Sequence, residues 1–352
     1  NGGFYWMTYL DMEIPSRSSH LWRYTPWKRI HPSKIDIIPT TDDITLNHDG
    51  NIDVIEGIRE MSESTEISRV FLSECNNKMN VIEIDGKGQL ININLIATGE
   101  TTVGQIDFKC KGEATIIIHL SGSSTWTGLH ISGSIEKNSS IGYAFVNELE
   151  SNSKLLRCED WNIHRDSSLE YGELSIGGFR NKTDIRTNLC DSNSSLNQTV
   201  AVHGIDSRHD DHHMEIRHLV KHTDSSLIMN AACGGRSHSI GTGQLFIAED
   251  ANNSNAGQVF HNLLLSPDAR ADAIPELEVL SDEVSAAHGA ASAPIDKEQL
   301  HYLLSRGFSP EQAESLIVEG FLVNTFSSLK NKIISEDLKT RLKIHRECGI
   351  LR

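Results

Sequence analysis

From position 81 the chain alternates short β-branched runs with polar breaks. Val81-Ile82-Glu83-Ile84, Leu90-Ile91-Asn92-Ile93-Asn94-Leu95-Ile96 and Ala114-Thr115-Ile116-Ile117-Ile118 read as strands divided by Gly, Asn, Asp and Ser. A repeat follows. Ser139-Ser140-Ile141, Asn152-Ser153-Lys154-Leu155, Ser167-Ser168-Leu169, Ser194-Ser195-Leu196 and Ser225-Ser226-Leu227 are variants of one turn-then-strand unit. The apolar positions 141, 155, 169, 196 and 227 are separated by 14, 14, 27 and 31 residues. The third gap is about two units and the last is two units with a small insertion. A recurrent polar corner followed by an apolar residue is what a coiled β solenoid requires, because each apolar residue stacks on the turn below. An antiparallel sandwich is the rival, but it would favour Asn-Gly hairpin turns, which are scarce here. The final strands are predicted at 243–247, 259–265 and 277–280.

After Asp296 the pattern becomes helical. Asp296 can cap a helix, with Gln299 reaching back, and Gly307 can end it in a left-handed residue. Ser309 caps the next helix and Pro310 takes its first position, where no N–H is missed. Ala313, Leu316, Ile317, Gly320 and Phe321 then form one apolar stripe. A last helix reads as capped by Ser335 and striped by Leu338 and Leu342. At the other end, residues 1–45 hold three of the five tryptophans, Trp6, Trp22 and Trp27, among prolines. An irregular cap is expected there rather than a long helix. Trp22, Arg23 and Tyr24 could form a ligand-binding aromatic patch, but aromatics that pin a cap onto a core explain them more simply. An Asp49-Gly50-Asn51 turn precedes Ile52, Val54 and Ile55, and residues 56–77 read as helix or loop. The segments divide the chain into an N-terminal cap at 1–45, a solenoid at 46–290 and a helical domain at 291–352.

The chain has 352 residues, enough for one large or two ordinary domains. Its net charge is −16. Residues 330–352 carry seven Lys and Arg against three Asp and Glu, so the tail is +4 and the remainder −20. An acidic body argues against nucleic acid as a partner. The basic tail is most simply the solvated face of a last helix, with an acidic partner as the alternative. The six cysteines, Cys75, Cys110, Cys158, Cys190, Cys233 and Cys348, have no C-x-x-C pair and are too sparse for a disulfide framework. A reducing cytosol fits them best. No apolar run reaches the length of a membrane span, and no signal peptide is visible. The Asn-Gly-Gly opening suggests that the natural start lies further upstream.

Histidine is abundant, 17 in all, and densest at His209, Asp210, Asp211, His212, His213, His218 and His222. Such a set could bind zinc or iron. Alternation places Met214, Ile216, His218 and Val220 on one strand face, so His218 reads better as a hydrogen-bonded core histidine. His209, His212 and His213 read as a polar loop. His288 sits between small residues in Ala287-His288-Gly289-Ala290, where backbone can approach closely. No G-x-S-x-G, G-x-x-x-x-G-K-[ST] or H-E-x-x-H occurs. Cys233-Gly234-Gly235 imitates a phosphate loop without its Lys-Ser/Thr. The rival enzyme reading is a polysaccharide lyase or hydrolase on a β-helix, with Asp206, Arg208, Asp210, Asp211 and Arg217 as candidate groups. A bare structural β-helix binding module is a third reading.

The run AAHGAASAPIDKEQLHYLLSRGFSPEQAESLIVEGF resembles the C-terminal signature of the SufB/SufD family, scaffold components of iron–sulfur cluster assembly. Leu303, Ser305, Arg306 and Gly307 stand in its L-x-S-R-G core. Pro15-Ser16-Arg17 with Leu21-Trp22-Arg23-Tyr24-Thr25 is similar to the family's N-terminal segment, and Ile216-Arg217-His218 to its I-x-H position. The middle, 45–190, matches in style rather than residue by residue.

The resemblance implies a mainly β fold: a right-handed parallel β-helix between an N-terminal cap and a C-terminal α-helical domain. It implies a non-catalytic scaffold subunit in the cytoplasm, partnering a SufC-like ATPase and a SufB-like paralogue or a second copy of itself. Independently of the resemblance, the uncapped end of a solenoid predicts a dimer through the last rungs, about 243–290, whose sheet edge carries Leu245, Phe246, Ile247, Leu263 and Leu264. The resemblance gives His288 a role in cluster assembly at the subunit interface. SufB-like members have a glutamate where this chain has Gly289, and a cysteine near the strand here holding Phe260, His261 and Asn262. Clusters are held mainly by thiolates. The chain therefore looks SufD-like: no stably bound cofactor is expected, only a transient iron–sulfur cluster within the complex. The helical segment, 296–326, is expected to dock the ATPase through Tyr302, Arg306 and Phe308, with helix-carbonyl capping as the alternative role of Arg306.

Overall fold

The computed structural model describes residues 8–50, 52–59 and 66–347. Trp6, Asn51 and Cys348 of the sequence reading lie outside them. The described residues begin with two 3₁₀ turns and a short helix α1, Trp27–Ile30. Strands β1, Asp42–Asp43, β2, Thr45–Asp49, and β3, Val54–Ile58, come next. Helix α2, Ile67–Cys75, settles the helix-or-loop segment as a helix over its second half.

A parallel β solenoid of about eight turns follows. Its first two rungs are single unbroken strands, β4, Lys78–Ala97, and β5, Thr101–Gly122. The two short runs expected at 81–84 and 90–96 are thus one strand, bent at an irregularity between Lys87 and Gln89. The bend brings backbones together. A Cβ at Gly112, where φ is +84°, would lie 2.2 Å from the Gly86 carbonyl oxygen, so glycine is required there. The first half of β5 pairs with β6, Trp126–Ile135, and its second half with β7, Ser140–Leu149. From here each rung consists of two strands. The rungs are β8, Lys154–Ile163, with β9, Ser168–Ser175; β10, Arg180–Leu189, with β11, Ser195–Gly204; and β12, His209–His218, with β13, Asp224–Cys233. The last two are β14, His238–Ile247, with β15, Asn255–Leu264, and β16, Arg270–Val279, with β17, Ser285–Pro294. Even-numbered strands stack on one face and odd-numbered strands on the other, all parallel.

The repeated serine corner marks one edge of this stack. Asn138, Asp166, Asn193, His222 and Asn253 all have φ between 56° and 63°. Each left-handed residue donates its N–H to the next rung, as in Asn138 N–H to Arg165 O at 3.0 Å and Asn193 N–H to His222 O at 2.8 Å. Asn and Asp tolerate this conformation better than other side chains. A buried hydroxyl follows at Ser139, Ser167, Ser194, Thr223 and Ser254. Ile141, Leu169 and Leu196 stack in direct register, as expected. Leu155 lies on the opposite face, so the 14-residue spacing is half a rung. Leu227 is displaced: Ser225 takes the register of Leu196, and Leu227 pairs with Gln198. The insertion therefore moves the apolar residue two places along the same inward side.

Two outer flanks are covered. The aromatics Tyr9, Trp22, Trp27 and Phe71 pack with Val103, Trp126, Leu156 and Cys158 on the even-strand face. Trp22 is buried and donates Nε1–H to Glu66 at 3.0 Å, which makes it a packing residue. On the odd-strand face lie α4, Pro310–Thr325, and α5, Lys332–Glu347, preceded by α3, Lys297–Ser305. Val318, Leu322, Phe326, Leu338 and Leu342 pack there against Ala144, Val146, Leu174 and Ala201. Asp296 caps α3, Gly307 has φ +93°, and Ser309 with Gln312 forms a capping box. The α4 stripe differs from the expected one: Ala313, Val318, Leu322 and Thr325 are buried, while Gly320 is exposed. The sheet beneath contacts a face rotated from the one that hydrophobicity alone selects. Asn331, not Ser335, caps α5, accepting from the N–H groups of Ile333 and Ile334. Ser335 lies inside the helix and donates Oγ–H to Phe326 O at 3.1 Å. No helix among the described residues is long and apolar enough to cross a membrane.

Candidate functional site

The last rung is open. Among the described residues β16 pairs only with β14, and β17 only with β15. This corrects the expected edge. Leu245 and Ile247 are buried inside the stack, and the true edge lies one rung further on, in residues 270–279 and 285–294. The strand β17 was hidden because Ala, Gly and Ser carry little β propensity. Pairing with β15 defines it instead.

The two edge strands differ. Arg270 N–H donates inward to Ser237 O, so alternation turns the backbone donor positions of 271, 273, 275 and 277 outward. Pro275 occupies one of these and removes an edge donor, a device that discourages further pairing. Asp272, Glu276 and Glu278 add charge to the same strand. In β17, Ser285 N–H donates inward to Ser254 O, so the N–H groups of Ala286, His288, Ala290 and Ser292 face outward. Nothing from Ala286 to Ala293 carries a fixed charge, and no proline interrupts that run.

His288 is exposed on this edge. It continues a register column through Ile116, Tyr143, Tyr171, Gln198, Leu227 and Gln258. Every earlier member is buried in the lumen. Gln258, directly beneath, donates Nε2–H across the lumen to Glu276 O at 2.8 Å. The imidazole thus stands at the mouth of the solenoid on an inward-facing position that has no rung above it.

The residues expected on the helical segment form a separate surface. No residue of α3 is buried. Tyr302 is 56 % and Phe308 40 % exposed. The Arg306 guanidinium lies 5.1 Å from the Tyr302 ring centroid, within cation–π range. The backbone N–H of Arg306 ends the helix on the Leu303 and Leu304 carbonyls. Tyr302, Leu303 and Ile317 line an apolar groove between α3 and α4.

The histidine-rich stretch is strand β12, not a loop. Alternation sends its side chains to opposite sides. His212 lies in the lumen, with Nε2 3.0 Å from Glu173, while His209 faces out to Thr25 at 2.8 Å. His213 lies outside, 4.0 Å from Asp184. His218 bonds Thr223 and Ser225 at 2.7 and 2.8 Å in the core, as expected. Val220 lies beyond the strand end. His222 is a corner residue. Burial pushes His209, His213 and His218 down to about 4. No group of three metal-ligating side chains converges among the described residues. The candidates for polysaccharide chemistry are likewise split. Arg208 pairs with Asp210 and Lys182 with Asp211, Arg217 lies outside against Glu215, and Asp206 is an exposed corner.

The sequence reading missed an ionic cluster inside the lumen. Arg157 pairs with Glu173, and lies 3.5 Å from Glu159. Tyr143 and Trp161 donate to Glu159, and Tyr171 to Glu173. Burial pushes Glu159 up to about 7. Burial opposes ionisation of Glu173 too, but Arg157 and His212 outweigh it and hold Glu173 down at about 2. The signal was present: Leu155, Arg157, Glu159 and Trp161 share one phase of β8, the inward one. Burial also pushes the thiols of Cys75, Cys110, Cys158 and Cys233 up to about 12, so they are neutral at ordinary pH.

Residues 86–321 match the family model described as the SUF system FeS cluster assembly SufBD core domain. An iron–sulfur cluster assembly SufBD family protein of Mycobacterium tuberculosis is 24% identical over 94% of this chain and 88% of its own length. The iron–sulfur cluster assembly protein SufD of Escherichia coli is 24% identical, covering 67% of this chain and 57% of its own. SufD of Bacillus subtilis is 28% identical over 57% of this chain and 46% of its own. The open-ended solenoid, the helices on its flank and a family match over both make this chain a member of the SufB/SufD family of the SUF iron–sulfur cluster assembly system.

Proposed function

We propose that the chain is a non-catalytic, SufD-like scaffold subunit that acts in the cytosol. It joins a SufB-like paralogue or a second copy of itself through β17, and a SufC-like ATPase through the α3–α4 surface. The observation that carries this reading is the asymmetry of the last rung: one edge is blocked by Pro275 and charge, and the other is uncharged, unpaired and bears His288 at the lumen mouth. An iron–sulfur species would be transient cargo at that interface, met by His288 of this chain. Neutral buried thiols support this reading, because thiolates do most of the work of holding clusters. ATP chemistry would belong to the partner. Interface energy concentrates in a few aromatic and Arg anchors, and Tyr302 on α3, Arg306 at its C-cap and Phe308 in the turn after it have that composition beside a helix that buries none of its residues.

Co-expression with a SufC-like ATPase tests the docking reading. The wild-type chain should retain the ATPase through size-exclusion chromatography. The double substitution Tyr302→Ala and Phe308→Ala should lose it while circular dichroism stays unchanged, since both side chains are exposed. Undiminished co-elution of the double variant would refute the docking surface.

A further inference from the structure

Away from the open end, three consecutive corners of the solenoid meet the last turn of α5 around a cleft of about 540 Å³. That volume is in the range of small-molecule sites, roughly 300–1,000 Å³. The corners are those between β7 and β8, β9 and β10, and β11 and β12. Leu149, Ile176, Phe179, Ile205 and Ile344 supply an apolar wall. Ile344 is 45 % exposed, an apolar side chain left to water beside the cleft.

Two donors face this space. The Arg208 side chain is only 4 % exposed, yet it lines the cleft. Its Nε and Nη2 edge faces Asp210 and Ser175: Nη2 donates to Asp210 Oδ1 and to Ser175 Oγ, while Nε is 2.7 Å from Asp210 Oδ2 as an ion pair without hydrogen-bond alignment. Among the described residues Nη1 has no hydrogen bond. His345, also buried and lining the cleft, meets His203 with Nε2 to Nδ1 at 3.2 Å. His203 Nε2 is buried without a partner. A bare acceptor there costs less than a stranded N–H, so His203 donates from Nδ1. That leaves the remaining N–H of His345 at Nδ1, with no partner among the described residues. At the rim stand Glu150 and Asp206, both exposed, and Glu148, which is 3.5 Å from Arg341.

We infer that this cleft binds a free α-amino acid with an apolar side chain. The carboxylate meets Arg208 and the His345 N–H, the ammonium meets Glu150 and Asp206, and the side chain lies on the apolar wall. A simple anion would be repelled by the rim, and a simple cation would leave the two donors unpaired.

Isothermal titration of the full chain with L-leucine, 4-methylpentanoate and 3-methylbutylamine tests the assignment. The second probe lacks the ammonium and the third lacks the carboxylate. L-leucine should bind saturably at one site per chain, and each analogue should bind roughly tenfold or more weakly. Asp206→Asn with Glu150→Gln should weaken L-leucine without weakening 4-methylpentanoate. Asn suits the left-handed backbone at 206, where φ is 52°, so this variant should fold. Arg208→Gln, checked for folding by circular dichroism, should remove L-leucine binding. Absence of saturable L-leucine binding, an analogue that binds equally well, or indifference of L-leucine to the rim variant would overturn the proposal.

Discussion

The two ends of the solenoid solve the same problem in opposite ways. At the first end the chain reverses. β2 and β3 run antiparallel to β4, pairing Thr45–Asp49 with its second half and Val54–Ile58 with its first. The earliest rung therefore has its ladder completed from within the chain. At the other end no strand among the described residues pairs with the outward edges of β16 and β17. A fold that can close one end and leaves the other open treats the open one as a surface. Within that surface, Pro275 silences one strand and leaves β17 as the strand able to add a partner.

The largest expected effect separates the ends by stability. Leu95→Ala, at a fully buried site under β2, should cost about 3 kcal/mol in urea unfolding. Leu277→Ala, on the half-buried last rung, should cost about 1 kcal/mol or less when measured on monomer. Equal costs would show that the last rung is as well covered as the first. Next comes association. Ala290 turns its N–H outward, so Ala290→Pro breaks no hydrogen bond within the chain. It should weaken pairing with the paralogue or with itself about 100-fold, about 2.7 kcal/mol, with the circular dichroism spectrum retained. Light scattering that shows an unaltered dimer would move the interface off β17.

Acid should distinguish the helix-covered rungs from the bare ones. Burial, the facing His345 and Arg208 hold His203 down to about 3, and burial with Arg208 holds His345 down to about 4, against an ordinary value of 6.5. Their folded values are depressed, so the stability they carry is whole above pH 6.5 and declines as pH falls toward 4. Hydrogen exchange in β11 and α5 should therefore accelerate over that window, and His203→Gln should flatten the response there. A decline of the same depth in β16 and β17 would assign it to other groups. The smallest effect on stability belongs to His288→Ala, within about 0.5 kcal/mol for so exposed a side chain. Cluster formation by the assembled complex, followed by visible absorption, should nevertheless fall. Full formation with the variant would refute the role proposed for His288.

The solenoid was legible because its corners repeat. The left-handed Asn and Asp residues and the hydroxyls after them recur at nearly even spacing, and Ile141, Leu169 and Leu196 keep register. The helix caps at Asp296 and Ser309 were legible because they are local chemistry. What failed was non-local. The strand at 285–294 has no propensity of its own and exists because β15 offers it a ladder. The α4 face is selected by the sheet it meets. Arg157 and Glu159 look like surface charges until alternation around Leu155 and Trp161 is followed, and then their burial in the lumen is forced. His209 to His213 read as a loop because charge masked the same alternation. His288 was singled out by its resemblance context, while its place at the lumen mouth came only from the register column beneath it.

The unbroken strands β4 and β5 carry a consequence for how the molecule is made. They pair in register from Asn80 to Ala97 over both faces at once, with one irregularity. They are also the first rungs to leave the ribosome, and chains fold from the N-terminus during synthesis. Each later rung then finds a finished template and adds to it, as nearest-neighbour stacking prescribes. At every stage of growth only one rung is raw. Among the described residues nothing covers the last raw rung, so any strand added there would be the first step of growth that is not intramolecular.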